Sequence, residues 1–167
     1  MTELSSTVID SPVGPLTVVA SGHGVRAVLW ADDDPDRVRL GPTTEDPAHP
    51  IVAVTVHQLG EYFAGTRTDF DVPLDPVGTE FQRAAWSALR RIPYGTTWSY
   101  GQQAEQMGDR RKARAVGAAN GRNPISIVVP CHRVVGADGA LTGFAGGVDT
   151  KAWLLAHEQR HDAASRP

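Results

Sequence analysis

A chain of 167 residues, 41% hydrophobic and 21% charged, has the composition of a soluble globular protein and can bury a real core in one domain or two small ones. No apolar run approaches the length of a membrane span, and the start Met1-Thr2-Glu3-Leu4 lacks the basic and apolar regions of a secretory signal. A single cysteine excludes an internal disulfide and a multi-cysteine zinc site, and a lone reactive thiol belongs in a reducing cytoplasm. The net charge of −3 divides unevenly: residues 1–76 carry four cations against twelve acids (−8), and residues 77–167 carry twelve cations against seven acids (+5). A basic C-terminal half beside an acidic N-terminal half can meet a polyanion through one half only.

In chain order, Thr7 to Asp10, the Ser11-Pro12-Val13-Gly14-Pro15 turn and Leu16 to Ala20 read as strand, turn, strand, and Val25 to Trp30 as a third strand. Residues 31–50, polar and rich in Pro and Asp, read as a loop. Pro50 suits the first turn of a helix that stops at Gly65, with Val52, Val56, Leu59 and Phe63 as its apolar stripe. Phe70 to Leu74 reads as extended. His23, His49 and His57 have no ligand-like spacing, so no metal site is expected there.

Pro76-Val77-Gly78, where the charge changes sign, marks the expected boundary between a domain of residues 1–76 and one of residues 77–167. Thr79-x-x-Gln82 is a capping box opening a helix whose apolar residues are Phe81, Ala85, Leu89 and Ile92, ended by Pro93. Ser99-x-x-Gln102 opens a second short helix that stops at Gly108, and Arg110 to Asn120 forms a third, ended by Gly121. Short helix, tight turn, short helix is the helix-turn-helix pattern, whose second helix enters a DNA groove. That helix is slim (Ala113, Ala115, Gly117, Ala118, Ala119), and Arg110, Arg111, Lys112 and Arg114 crowd its start. Such a surface fits close packing on a neighbour with solvated charges at one end, or a narrow minor groove with phosphates at the helix start.

The run Ile127-Val128-Val129-Pro130-Cys131-His132-Arg133-Val134-Val135 reads as a buried strand ended by Pro130. Cys131 then sits at a strand end. A lone cysteine can be simply a small buried hydrophobe, but thiolates form beside His and Arg, and both follow here. Neighbours on a strand face opposite ways, so a working Cys131/His132 pair requires the chain to turn at Cys131. Gly136 to Gly139 reads as a turn, Gly143 to Gly147 as a flexible loop, Asp149 as the cap of a last helix, and residues 159–167 as a frayed tail. Glu158 shares the apolar face of that helix with Leu154 and Leu155, so its carboxylate needs a partner or the stripe's wet edge.

Pro130-Cys131-His132-Arg133-Val134 resembles the active-site signature of the O6-alkylguanine-DNA alkyltransferases, the methylated-DNA–protein-cysteine methyltransferases. Gly78-Thr79-x-Phe81-Gln82, Ile92-Pro93-Tyr94-Gly95, Ser99-Tyr100, Ala113-Arg114-Ala115-Val116-Gly117, Asn123-Pro124, Gly143-Phe144-Ala145-Gly146-Gly147 and Trp153-Leu154-Leu155-Ala156-His157-Glu158 resemble further family blocks, in the family's order. They cover residues 78–158 densely and the N-terminal part thinly. The resemblance implies an α/β fold: a small N-terminal α/β domain and a mostly helical, winged-helix-like C-terminal domain with a helix-turn-helix. It implies single-use repair, in which an alkyl group on O6 of guanine, and O4 of thymine, passes from a flipped-out base of double-stranded DNA to Cys131.

Under that resemblance His132 takes the thiol proton, Glu158 orients His132, and Tyr100 hydrogen-bonds the guanine ring and aids its departure. The backbone near Val134 and Ala145, beside Phe144, reads the base. Arg114 fills the gap in the stack from the minor groove, with Arg110, Arg111, Lys112, Ala115 and Gly117 along the DNA and Asn123 joining the recognition helix to the active-site segment. No cofactor, metal or membrane is implied, and the acting form is a monomer. Phe144 stands where many members have tyrosine, Gln103 where the residue is often apolar, and Lys112 where it is often small, which bears on substrate range and DNA affinity.

Two other classes fit parts of the same pattern. A helix-turn-helix regulator with a structural cysteine predicts an inert Cys131, and a Cys-His hydrolase of small molecules predicts turnover.

Overall fold

The computed structural model describes residues 3–162, which divide into two compact units. The first runs to Val77 and also takes in Pro124–Val128; the second comprises Gly78–Asn123 and resumes at Val129.

In the first unit β1 (Leu4–Ile9), β2 (Leu16–Ala20), β3 (Val25–Trp30) and β4 (Thr43–Glu45) form one sheet in the order β3-β2-β1-β4. β1–β2 and β2–β3 are antiparallel and β1–β4 is parallel. β4 lies inside the stretch expected to be loop; it is short and exposed throughout, so it carries no apolar alternation to betray it. The outer edge of β3 is not left bare. Val28 donates to the carbonyl of Pro124 (2.9 Å) and Ile125 bridges to Val28, while Leu74 bridges to Val25. Residues 124–128, expected with the C-terminal domain, thus join the first unit as cover for a strand edge.

Helix α1 (Pro50–Ala64) packs on β1 and β2. His49 caps it by accepting from the Ile51 amide, and Gly65 closes it at φ 80°, a left-handed conformation suited to glycine. Its buried face is Val52, Thr55, Gln58, Leu59 and Tyr62, so the expected stripe is rotated: Val56 and Phe63 lie at its margin. Polar residues inside the face cause the shift. Thr55 returns its hydroxyl to Ile51, and Gln58 exchanges hydrogen bonds with the backbone of Asp71.

The second unit is mostly helical: α2 (Glu80–Leu89), α3 (Tyr100–Gln106), a 3-10 turn (Arg110–Lys112) continuing as α4 (Ala113–Asn120), and α5 (Val148–His161). Both expected capping boxes form, with Thr79 and Gln82 on α2 and Ser99 and Gln102 on α3. The two-residue strands β5 (Trp98–Ser99) and β6 (Val134–Val135) pair in parallel. Trp86 of α2 donates its indole N–H to Ala119 of α4. Gln103 of α3 exchanges two amide hydrogen bonds with Asn120 of α4 and donates to Ala85 of α2, so this buried polar residue is fully used where an apolar one would suffice.

Asp149 lies in the first turn of α5 rather than capping it; Gly147 holds the cap position and no side chain caps the helix. The helix continues through residues read as frayed, because Gln159 donates to the carbonyl of Gly95 (2.6 Å). Residues 163–167 of that stretch lie outside the described residues. Among the described residues no helix is long and apolar enough to cross a membrane.

Candidate active site

The expected buried strand before Cys131 does not form. Ile127 and Val128 make a turn, with Ile127 at φ 72° and the Val128 amide bonded to Ser126. The β-branched run signals burial, which all three of Ile127, Val128 and Val129 show, but burial needs no ladder. After Pro130 the chain winds into a 3-10 turn over Cys131–Arg133, closed by the Arg133 amide on Pro130 and the Val134 amide on Cys131. This is the turn a Cys131/His132 pair requires. It leaves Cys131 half-buried and sends both His132 and Arg133 inward.

Both inward side chains meet Glu158 of α5, which is 1% exposed. His132 Nε2 lies 2.7 Å from Oε2, Arg133 Nε donates to Oε1 at 2.8 Å and Arg133 Nη2 to Oε2 at 3.2 Å, and the Gly95 amide reaches Oε1 at 3.4 Å. Arg133 Nη1 donates to the carbonyl of Ile92, and its guanidinium lies 5.5 Å from the Tyr94 ring centroid. The Ile92–Gly95 turn and the Glu158 carboxylate therefore share one clamp.

Burial pushes the His132 imidazole below its ordinary value; Glu158 opposes the shift and Arg133 and Lys151 reinforce it. Burial alone would raise the Glu158 carboxyl, but its contacts with His132 and Arg133 outweigh this and hold it well below the carboxylate range. With a neutral imidazole at pH 7, Arg133 is the charge that keeps Glu158 ionised. A carboxylate only accepts, so Nε2 carries the proton and Nδ1 the lone pair, and Nδ1 is buried without a hydrogen-bond partner. In that state the imidazole can accept a proton at Nδ1.

Lys151, 1% exposed, donates to the carbonyl of Val134 at 2.6 Å and lies 6.0 Å from the Phe144 ring centroid. Burial lowers its ammonium, and a negative charge on Cys131 opposes that shift. Tyr100, first residue of α3, is part-buried, its hydroxyl 2.6 Å from that of Thr142. Gly117 of α4 faces the same ring, 3.5 Å from where its Cβ would be.

The basic residues before and within α4 are not equivalent. Arg110 pairs with Glu105 at 2.7 Å and Arg111 with Asp109 at 3.1 Å, while Lys112 lies over the Phe81 ring. Arg114 is exposed and has no ion pair among the described residues; Ala115 is exposed beside it. Asn123 is fully buried and ties the end of α4 to Val129 by donating to its carbonyl (2.9 Å). Val134 is buried, Phe144 half-buried and Ala145 exposed.

Arg133, Lys151 and Thr142 were missed as site residues. A signal existed for the first: an arginine inside Val-Val-Pro-Cys-His-Arg-Val-Val is a charge in a buried run and demands a carboxylate.

Two family models match the chain. One is described as the ribonuclease-like domain of 6-O-methylguanine DNA methyltransferase, over residues 4–76, and the other as the DNA binding domain of the same family, over residues 80–160. A methylated-DNA–protein-cysteine methyltransferase of Mycolicibacterium paratuberculosis is 53% identical over 157 residues, 94% of this chain and 93% of the relative. One from Mycobacterium bovis is 49% identical over 153 residues, 90% of each. The crystal structure of Mycobacterium tuberculosis OGT in complex with DNA matches with a TM-score of 0.86 at 45% identity, covering 98% of this chain and 96% of that one.

Proposed function

The chain belongs to the 6-O-methylguanine DNA methyltransferase family, and on that premise we propose how its residues carry out methylated-DNA–protein-cysteine methyl transfer. The reaction is direct-reversal repair: the alkyl group leaves O6 of guanine for Cys131. The observation that carries the reading is the turn at Cys131, which keeps the thiol half-buried and drives His132 onto Glu158. An O6-methyl is a poor electrophile, so the acceptor must be a thiolate. His132 accepts the thiol proton at Nδ1, directly or through a water. Glu158 stabilises the imidazolium that forms, the third-group logic of nucleophilic sites, and Arg133 holds Glu158.

The sulfur attacks the methyl carbon, the C–O6 bond breaks, and the electron pair goes to guanine. Tyr100 protonates the departing ring. The base lies inside the stack and must be flipped out to reach Cys131. O4-alkylthymine, with the same exocyclic alkyl ether, is a second substrate. The thioether cannot be reversed by anything at the site, so each molecule acts once, as a monomer, in the cytoplasm.

The partner is duplex DNA approached from the minor groove by α4. Support comes from the slim Ala113–Gly117 stretch, from Arg114, which has no ion pair among the described residues, and from the likeness to a relative solved with DNA. Arg110, Arg111 and Lys112 contact phosphates. The experiment is intact-protein mass after incubation with O6-methylguanine duplex. Wild type gains one methyl group on Cys131 and stops, and Cys131→Ser gains none. Product beyond one equivalent overturns single use, and no mass gain overturns the reading.

A further inference from the structure

We propose that Thr142 is a positioning residue for Tyr100: its hydroxyl holds the phenol in place and then stabilises the phenolate left when Tyr100 protonates the departing base. The inference rests on the alkyl-transfer reading above and adds to it a residue in the loop before α5.

Three observations carry it. First, the hydroxyl–hydroxyl distance is 2.6 Å, between residues 42 apart in sequence. Second, Tyr100 is tied to the Cys131 segment by backbone. β5 ends at Ser99, immediately before Tyr100, and pairs with β6, which begins immediately after the Cys131 turn. The ring lies against Gly117 on another side, so the hydroxyl is its adjustable end. Third, the Thr142 loop is closed on both flanks. Gly136 bonds to Ala140, Gly139 to Gly136, and Gly147 to Phe144. Thr142 is held between two turns, although its stretch has no regular structure.

The chemistry needs such a partner. A phenol is a far stronger acid than an aliphatic alcohol, so at rest Tyr100 donates and Thr142 accepts. During transfer the S–C bond forms at Cys131, the C–O6 bond breaks, and the Tyr100 proton passes to a ring nitrogen of guanine. The phenolate oxygen then carries the charge. The Thr142 hydroxyl, free to rotate, turns its proton onto that oxygen. The thiol proton, held on His132, or a proton from solvent, later returns the phenolate to phenol. The net change is Cys–SH plus O6-methylguanine to Cys–S–CH3 plus guanine. A hydrogen bond to a charged group that exists only after proton donation favours the transition state over the ground state.

The test compares wild type with Thr142→Val, which keeps the shape and removes the hydroxyl, and Thr142→Ser, which restores it. Two reactions of Cys131 are timed by intact mass: methyl transfer from O6-methylguanine duplex, and alkylation by iodoacetamide, whose iodide leaves without a proton. Thr142→Val should slow methyl transfer by roughly 10- to 100-fold and leave the iodoacetamide rate unchanged. Thr142→Ser should restore most of the rate, and Thr142→Val should add almost nothing to Tyr100→Phe. Equal methyl-transfer rates for Thr142→Val and wild type overturn the proposal alone. So does equal slowing of both reactions, which marks a packing role, or full additivity with Tyr100→Phe. Absence of methyl transfer in wild type overturns the alkyl-transfer reading together with it.

Discussion

The second unit holds its charges in two ways. Around Glu158 they are buried: His132 and Arg133 both hydrogen-bond Glu158, and Lys151 is buried on the Val134 carbonyl. Before α4 they are exposed: Arg110, Arg111, Lys112 and Arg114 stand in solvent, two of them in surface ion pairs. Desolvation makes the first group mutually dependent, since removing one member strands another in a poor solvent. Water screens the second group, so each member is nearly free to be spent on a polyanion. The proposed acid–base chemistry falls in the first environment and the proposed DNA contacts in the second.

The largest expected effect comes from breaking the buried group. Arg133→Met takes the guanidinium away from a Glu158 carboxylate that is 1% exposed and that keeps its contacts with His132 and the Gly95 amide. Loss of one partner from a buried pair costs about 3–5 kcal/mol, measured by urea unfolding at pH 7. Adding Glu158→Gln removes the stranded charge and should recover part of the loss, a non-additivity that surface pairs do not show. A single-variant cost under about 1 kcal/mol, the range of surface pairs, would mean the carboxylate is solvated and would erase the distinction between the two regions.

A smaller effect lies in the pH dependence. Stability falls with falling pH wherever the unfolded chain binds more protons than the folded one. The folded His132 resists protonation below its ordinary 6.5. From about pH 6.5 downward the unfolded imidazole therefore takes up a proton that the folded one does not, and stability declines. Glu158 acts in the same sense lower down: below its ordinary 4.5 the unfolded carboxyl protonates while the folded one stays ionised. His132→Asn should flatten the upper part of this decline and leave the lower part. Unfolding midpoints at pH 7.5, 6, 5 and 4 for both proteins check it; an unflattened upper limb would mean that His132 already charges in the folded state.

What was legible in the sequence follows the same division between local and long-range physics. The capping boxes at Thr79 and Ser99 and the Pro50 to Gly65 helix are fixed by residues a few positions apart, and they formed as read. Helix periodicity put Glu158 on the apolar face, which left a buried partner or the stripe's wet edge open; the structure shows the first. Its second partner was not legible: Arg133 reaches it only because the chain turns at Cys131, and the valines there signalled burial without signalling shape. Thr142 was invisible for a similar reason. It lies in a glycine-rich stretch without regular structure, and its partner is 42 residues away. Gln103 stood out in sequence as a departure at an often apolar position; its matching amide, Asn120, lies on another helix and was not legible there.

The smallest effects on folding are expected at the basic residues, where the comparison can be sharpened on DNA. Arg114 has no ion pair among the described residues, whereas Arg110 is held by Glu105. Neither Arg114→Ala nor Arg110→Ala should move the unfolding midpoint. On duplex DNA they should separate. A cation that contacts phosphate releases counterions, so each one lost lowers the salt slope of binding by about one unit. Arg114→Ala, which removes the gap-filling side chain, should instead slow duplex repair strongly, repair of a single strand less, and reaction with a free O6-alkylguanine base least, since only the duplex must be opened. Arg110→Ala should change the slope by less than one, because its charge is partly answered by Glu105 before DNA arrives. The converse variant is the sharper one. Glu105→Gln frees Arg110 and removes a like charge from the approach to DNA, so duplex affinity and the salt slope should both rise. Binding titrations at two salt concentrations decide it. If Glu105→Gln left both unchanged, Arg110 would face away from the phosphates, and the contact surface would begin at Lys112.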